Sequence, residues 1–225
     1  MTNAARALSN NLESSQPVYL AGMPEKILAE YQNSQVGNTC TLHCIRAAFQ
    51  ILTGRTISAD DLAEEIDALP FLQRLRYRWW KDGPVSPIQQ VSIIRRLAGE
   101  LSLPLSARLA HPKPHELVAL ISQPETAALV TIGWMKGTAP AITLGNGNTS
   151  YADNTRLNWH TILAAAYDPT HRDIVSQVKP WGFINSWVNQ GESLFWISDA
   201  DFMRFWSFYT PFGGCRSTVI MTLIP

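Results

Sequence analysis

The chain has 225 residues, 46% of them apolar, and its 18 basic residues balance 18 acidic ones. That length and apolar fraction exclude a disordered chain and fit one large domain or two closely packed lobes. Zero formal charge argues against a nucleic-acid partner, no apolar run approaches a membrane span, and the N-terminus lacks the charged-then-apolar pattern of a secretory signal.

Three cysteines, two of them one helical turn apart, make no disulfide framework. The expected location is the cytoplasm, with free thiols. Met1 to Ser15, rich in Asn, Ser and Ala, read as the one segment without order. From Asn38 to Thr53 the apolar residues Leu42, Ile45, Ala48, Phe49 and Leu52 recur at helical spacing, and Gly54 supplies a stop. Ser58 caps a second helix to Leu69, ahead of Pro70. The basic run Arg74, Arg76, Arg78 and Lys81 reads as a solvated face beside two anchoring tryptophans, Trp79 and Trp80. Ser86, Pro87 and Gln89 form a capping box that opens a third helix to about Leu101, and Pro114 opens a short fourth, His115 to Ser122.

Strand signals then take over, at 104–109, 127–134, 141–144, 161–167, 181–186, 194–197 and 217–223. Turn clusters such as Gly145-Asn146-Gly147-Asn148 separate them, and Ser198 and Asp201 mark one more short helix, to about Trp206. Helices followed by an antiparallel sheet make an α+β protein, with the boundary near Ser102.

The chemistry centres on Cys40, where the loop Gln35-Val36-Gly37-Asn38-Thr39 enters an apolar helix. A helix N-terminus offers free N–H groups and partial positive charge. Both favour the nucleophilic thiolate, and the same N–H groups can hold an oxyanion. The bland alternative is a buried structural cysteine. A thiolate needs a proton shuttle. Of five histidines, His43 shares the helix of Cys40 and cannot easily face it across a substrate, while His111, His115 and His171 sit in polar turns or at a helix start. His160 stands before the apolar run Thr161 to Tyr167. Asn185 closes the next apolar strand, with Trp187 two positions on. An amide there can accept the histidine N–H and fix its tautomer, and the tryptophan can cover that bond from water.

Three segments in this order resemble the papain-like superfamily of cysteine peptidases: Gln35 to Cys44, His160 to Tyr167, and the Asn-Ser-Trp element of Asn185 to Ile197. The resemblance implies a helical lobe packed on an antiparallel β lobe, with the active site in the cleft between them. It implies Cys40 as nucleophile, His160 as base, Asn185 as its orienting partner and Gln35 as side-chain donor of the oxyanion hole. Gln35 lies five residues before the cysteine where the family's glutamine lies six before, so Asn38 or Asn33 is an alternative donor. Thr41 replaces an aromatic residue and Val188 a glycine. These departures point to a divergent bacterial-type branch, distantly similar to peptidases that process double-glycine leaders.

The expected activity is hydrolysis of a peptide or protein amide bond through a thioester, with no cofactor. An acyltransferase or amidase would use the same residues, and a binding module could keep the fold without turnover. Cys40, His43 and Cys44 are possible metal ligands within two helical turns, but no second ligand pair follows. Cys44 fits the core face of Ala47, Ala48 and Ile51, and Cys215 follows a Gly-Gly turn.

Overall fold

A computed structural model describes residues 16–32, 35, 37–143, 149–151, 155, 157–174, 176–187 and 193–224. The expected disorder at Met1 to Ser15 and the turn at Gly145 to Asn148 lie outside these residues. The chain opens with β1 (Val18–Tyr19), a single 3-10 turn and α1 (Glu25–Ala29). Four helices follow: α2 (Cys40–Thr53), α3 (Ala59–Ala68), α4 (Phe71–Arg74) and α5 (Pro87–Glu100).

Their ends have local causes. Gly54 adopts φ 69°, which an L side chain resists, and its N–H closes α2 on the Gln50 carbonyl. Ser58 Oγ accepts the Asp61 N–H at the start of α3. At α5 the Ser86 N–H donates to Gln89 Oε1 at 3.0 Å, the reciprocal half of a capping box.

The second half contains β2 (Leu105–Ala110), α6 (Pro114–Ile121), β3 (Thr126–Trp134), β4 (Ala141–Thr143) and β5 (Thr149–Tyr151). After these come β6 (Asn158–Tyr167), β7 (Trp181–Ile184), β8 (Phe195–Ile197), α7 (Asp199–Trp206) and β9 (Thr218–Leu223). Among the described residues the main sheet has seven strands in the order β2-β9-β3-β6-β7-β8, with β1 added beside β6. Every pairing is antiparallel and the sheet stays open.

All nine residues of β3 are buried. Successive strand residues point to opposite faces, so both faces of β3 are covered. Helix α2 packs on β6, α5 on β2, and α6 and α7 on β3.

The α+β expectation therefore holds, but the division into two lobes does not hold cleanly. The apolar stripe of α2, including Leu42, Ile45 and Phe49 at 0% exposure, is buried in one core that also contains sheet residues. Each such side chain stabilises the fold by about 1.5–3 kcal/mol. The helical half has no comparable sheet of its own to cover that stripe, so it uses the one built by the second half. The strand β1 crosses the same expected boundary by pairing Val18 with Tyr167 and Tyr19 with Ala166.

Candidate active site

Cys40 is the first residue of α2. The helix closes its first turn with His43 N–H on the Thr39 carbonyl at 3.0 Å, so the N–H groups of Cys40 and Thr41 have no helical acceptor. The preceding loop is tied to the far side of the site. Gln35 N–H donates to the Ser186 carbonyl at 2.8 Å, and Ser186 Oγ donates to Gln35 Oε1 at 2.5 Å. Gln35 Nε2 donates to the Gly37 carbonyl at 2.9 Å, and Gly37 takes φ 66° to complete the turn.

His160 lies in β6 opposite Ile132 of β3. Asn185 is the first residue beyond β7, whose last residue pairs with Leu163. This register brings the two side chains together: His160 Nε2 lies 2.7 Å from Asn185 Oδ1, and both residues are buried. The Trp187 main-chain N–H also donates to Asn185 Oδ1, at 3.2 Å. A backbone N–H can only donate, so it identifies the oxygen end of the amide. His160 Nε2 must then carry the proton, and a neutral ring keeps a lone pair on Nδ1. The Trp187 ring stacks on the imidazole at 4.1 Å with 23° between planes, backed edge-on by Trp134 and Phe195. Among the described residues nothing accepts from Asn185 Nδ2, which is buried.

Burial sets the electrostatics. It holds the His160 imidazolium down to about 3, against a smaller opposing effect of the Asn185 hydrogen bond. It also pushes the half-buried Cys40 thiol up, while main-chain contacts with Thr161 and Thr41, the Thr41 hydroxyl and the Arg78 charge act the other way. Cys44, one turn along α2, is fully buried with its Sγ 3.2 Å from the Thr161 carbonyl, and burial raises its thiol well above the usual range.

Cys40 and His160 line one pocket of about 350 Å3. Its walls come from both halves of the chain: Trp79, Trp80 and Pro84 from the first, Trp159 and Phe212 from the second. Thr41 and Thr161 also line it, linked hydroxyl to hydroxyl at 2.8 Å, and Gln90 Nε2 donates to Thr161 at 3.0 Å. The segment Tyr77 to Pro84 thus borders the site. Much of the long segment before Trp159 lies outside the described residues.

The structure brings Cys40 and His160 to one pocket and ties Asn185 and Trp187 to the His160 ring. Neither Gln35 nor Asn38 lines that pocket. Asn38 Nδ2 donates to the Asp82 carbonyl at 2.7 Å, and Asn33 lies outside the described residues. Among the described residues no group of three His, Cys, Asp or Glu side chains is arranged to hold a metal ion.

Two expectations change. Trp80 is 58% exposed, and Arg78 is wholly buried rather than part of a solvated face. A run of basic residues gives no sign of such burial, because two of the three partners of Arg78, Asp67 and Asn38, lie 11 and 40 residues from it in sequence. His171, placed by its sequence in a polar turn, is half-buried and stacks on Trp196 at 3.8 Å.

No protein-family model matches this sequence, and no curated protein matches it either. Solved structures do. One is a Bacillus anthracis protein provisionally described as a C39-like peptidase. It shares 11% identity with this chain over 93% of this chain and 99% of the other, with a TM-score of 0.54. The likeness is one of fold alone. Among the described residues no helix is long and apolar enough to cross a membrane.

Proposed function

We propose that this chain is a cysteine peptidase in which Cys40 attacks an amide carbonyl, His160 moves the protons and Asn185 orients His160. The observation that carries the reading is the buried His160–Asn185 hydrogen bond under Trp187, which fixes the tautomer whose free Nδ1 can act as a base in the pocket it shares with Cys40. The fold-level likeness to a C39-like peptidase supports the same class.

In the proposed cycle the Cys40 Sγ proton passes to His160 Nδ1. The thiolate forms a bond to the carbonyl carbon, and the carbonyl π electrons move onto oxygen. The N–H groups at the start of α2 stabilise that oxyanion, with Gln35, although it does not line the pocket, as the proposed side-chain donor. Its Nε2 carries two hydrogens and Gly37 takes one. The His160 imidazolium protonates the departing nitrogen, the C–N bond breaks, and a thioester remains. A water gives its proton to His160, attacks the thioester and releases the acid, and the proton returns to sulfur.

Burial opposes each charge made singly. Proton transfer makes the two charges together, and their attraction in a low-dielectric pocket offsets part of that cost.

The test is turnover of a peptide mixture together with site-resolved alkylation of the three thiols. Wild type should cleave, Cys40→Ala should not, and Cys40 should react with iodoacetamide first at mildly acidic pH. Preferential labelling of Cys44 or Cys215, with Cys40 intact in the folded protein, would sink the assignment. Added amine acceptors separate hydrolysis from acyl transfer, because both pass through the same thioester.

A further inference from the structure

A buried ion pair is weak evidence for stability, because desolvating two charges costs several kcal/mol each and apolar replacements are often neutral or better. Arg78 is such an ion at 0% exposure, and its guanidinium is used on every side. Nε donates to the Gly83 carbonyl at 2.6 Å, one amino group donates to Asp67 Oδ2 at 2.7 Å, and the other donates to the Asn38 carbonyl at 3.0 Å. Asp67 is itself incompletely satisfied, since its Oδ1 is buried without a hydrogen-bond partner.

The three acceptors are widely separated in the chain but converge on the site. Asp67 lies near the end of α3. Gly83 closes the turn that bears Trp79 and Trp80, with its N–H on the Trp80 carbonyl. Asn38 lies two residues before Cys40, and its own side chain bonds the Asp82 carbonyl of that same turn. One guanidinium therefore joins the loop leading to Cys40 to one wall of the pocket. Among the described residues, it is also the charged side chain whose field acts on the Cys40 thiol, in the direction that favours thiolate.

We propose that Arg78 is a positioning residue for the peptidase reaction: it fixes the Cys40 loop against the Trp79–Trp80 wall and supplies positive charge behind the nucleophile. The proposal rests on Cys40 being that nucleophile. The titratable and charged groups around Cys40 are His160 from β6, Cys44 from its own helix with Arg46 acting on it, and the Arg78–Asp67 pair behind the loop.

The experiment measures the pH dependence of Cys40 alkylation by iodoacetamide, with Cys44 and Cys215 as internal references, alongside kcat and KM on a peptide mixture. Three variants separate charge from packing. Arg78→Met should slow Cys40 labelling at mildly acidic pH about tenfold, one pKa unit, and lower kcat. Arg78→Lys keeps the charge and loses the fork, so its labelling profile should stay near wild type while kcat/KM falls to an intermediate value. Asp67→Asn removes the counter-charge and should move the Cys40 profile toward lower pH, the opposite direction from Arg78→Met. A purely structural arginine would move none of these profiles.

Arg78→Met may be read only where thermal melts show a folded protein, and if it does not fold, the Asp67→Asn shift alone decides. Unchanged alkylation profiles in folded Arg78→Met and in Asp67→Asn overturn the proposal. Wild-type turnover by Cys40→Ala is a different result, because it overturns the nucleophile assignment itself.

Discussion

The two sides of the pocket are built differently. On the sheet side, strand register holds His160 and Asn185: β6 lies between β3 and β7, and Trp187 packs over the imidazole. On the helix side, Cys40 follows a loop held by a few separate hydrogen bonds, two between Gln35 and Ser186 and one from Arg78 to Asn38. A register is enforced by many ladder bonds and by the burial of alternate side chains. A loop anchored by isolated polar bonds depends on each of them. His160 should therefore tolerate losses around it better than Cys40 tolerates losses in its loop.

Removing the proposed base gives the largest expected effect. His160→Ala should lower kcat by about 10²–10⁴-fold, the usual contribution of general acid–base catalysis, with the fold retained. Turnover within a few-fold of wild type would assign proton transfer elsewhere.

Gln35→Ala strikes the loop side twice. It removes the proposed oxyanion donor and the acceptor of the Ser186 hydroxyl. Turnover should fall by roughly 10²-fold, and Asn38→Ala should cost less. The reverse ranking would move the donor role to Asn38, and two small effects would leave the oxyanion to backbone N–H groups.

Asn185→Ala should lower turnover by up to about 10²-fold through misorientation of the ring, with the strand register intact. Asn185→Asp is the sharper probe. A carboxylate still accepts the His160 N–H, removes the unpartnered Nδ2 donor and stabilises imidazolium, so activity should partly survive with its alkaline limit moved upward. An unchanged pH–rate profile in Asn185→Ala would remove Asn185 from the reaction.

A separate effect is on stability rather than turnover. His160 titrates near 6.5 when unfolded and near 3 when folded, so the unfolded chain binds this proton first. The associated stability is complete above about 6.5 and is lost as pH falls from there towards 3, by at most about 1.4 kcal/mol per pH unit. His43, lowered chiefly by burial and with both ring nitrogens lacking a hydrogen-bond partner, adds a loss of the same sign. Urea midpoints from pH 7 to 4 should fall, and less steeply in His160→Gln. Equal slopes in the two proteins would mean that His160 is not buried neutral.

The same contrast explains what the sequence made legible. Helix α2, the capping box of α5 and the strand β3 are written in local pattern, so their positions follow from spacing and caps. The pairing of His160 with Asn185 was suggested by two neighbouring strand ends and an Asn-Ser-Trp element, which local pattern can also carry. Strand β1 was not legible, because two residues have no periodicity and Val18 becomes a strand only by pairing with Tyr167. Arg78 was misread for the same reason. Its burial depends on Asn38 and Asp67 as well as the nearer Gly83, and the pattern of a basic run does not reveal them. The clean division into lobes failed because the choice of surface to cover α2 is a tertiary decision.

The most direct test of the account is to trap the covalent intermediate. Wild-type protein turning over a cleavable peptide is quenched in acid, digested and weighed by mass spectrometry. The account predicts an acyl group on the Cys40 peptide, labile to hydroxylamine and absent in Cys40→Ala, with none on the Cys44 or Cys215 peptides. Turnover that persists in Cys40→Ala, or an acyl group carried by another residue, would contradict it.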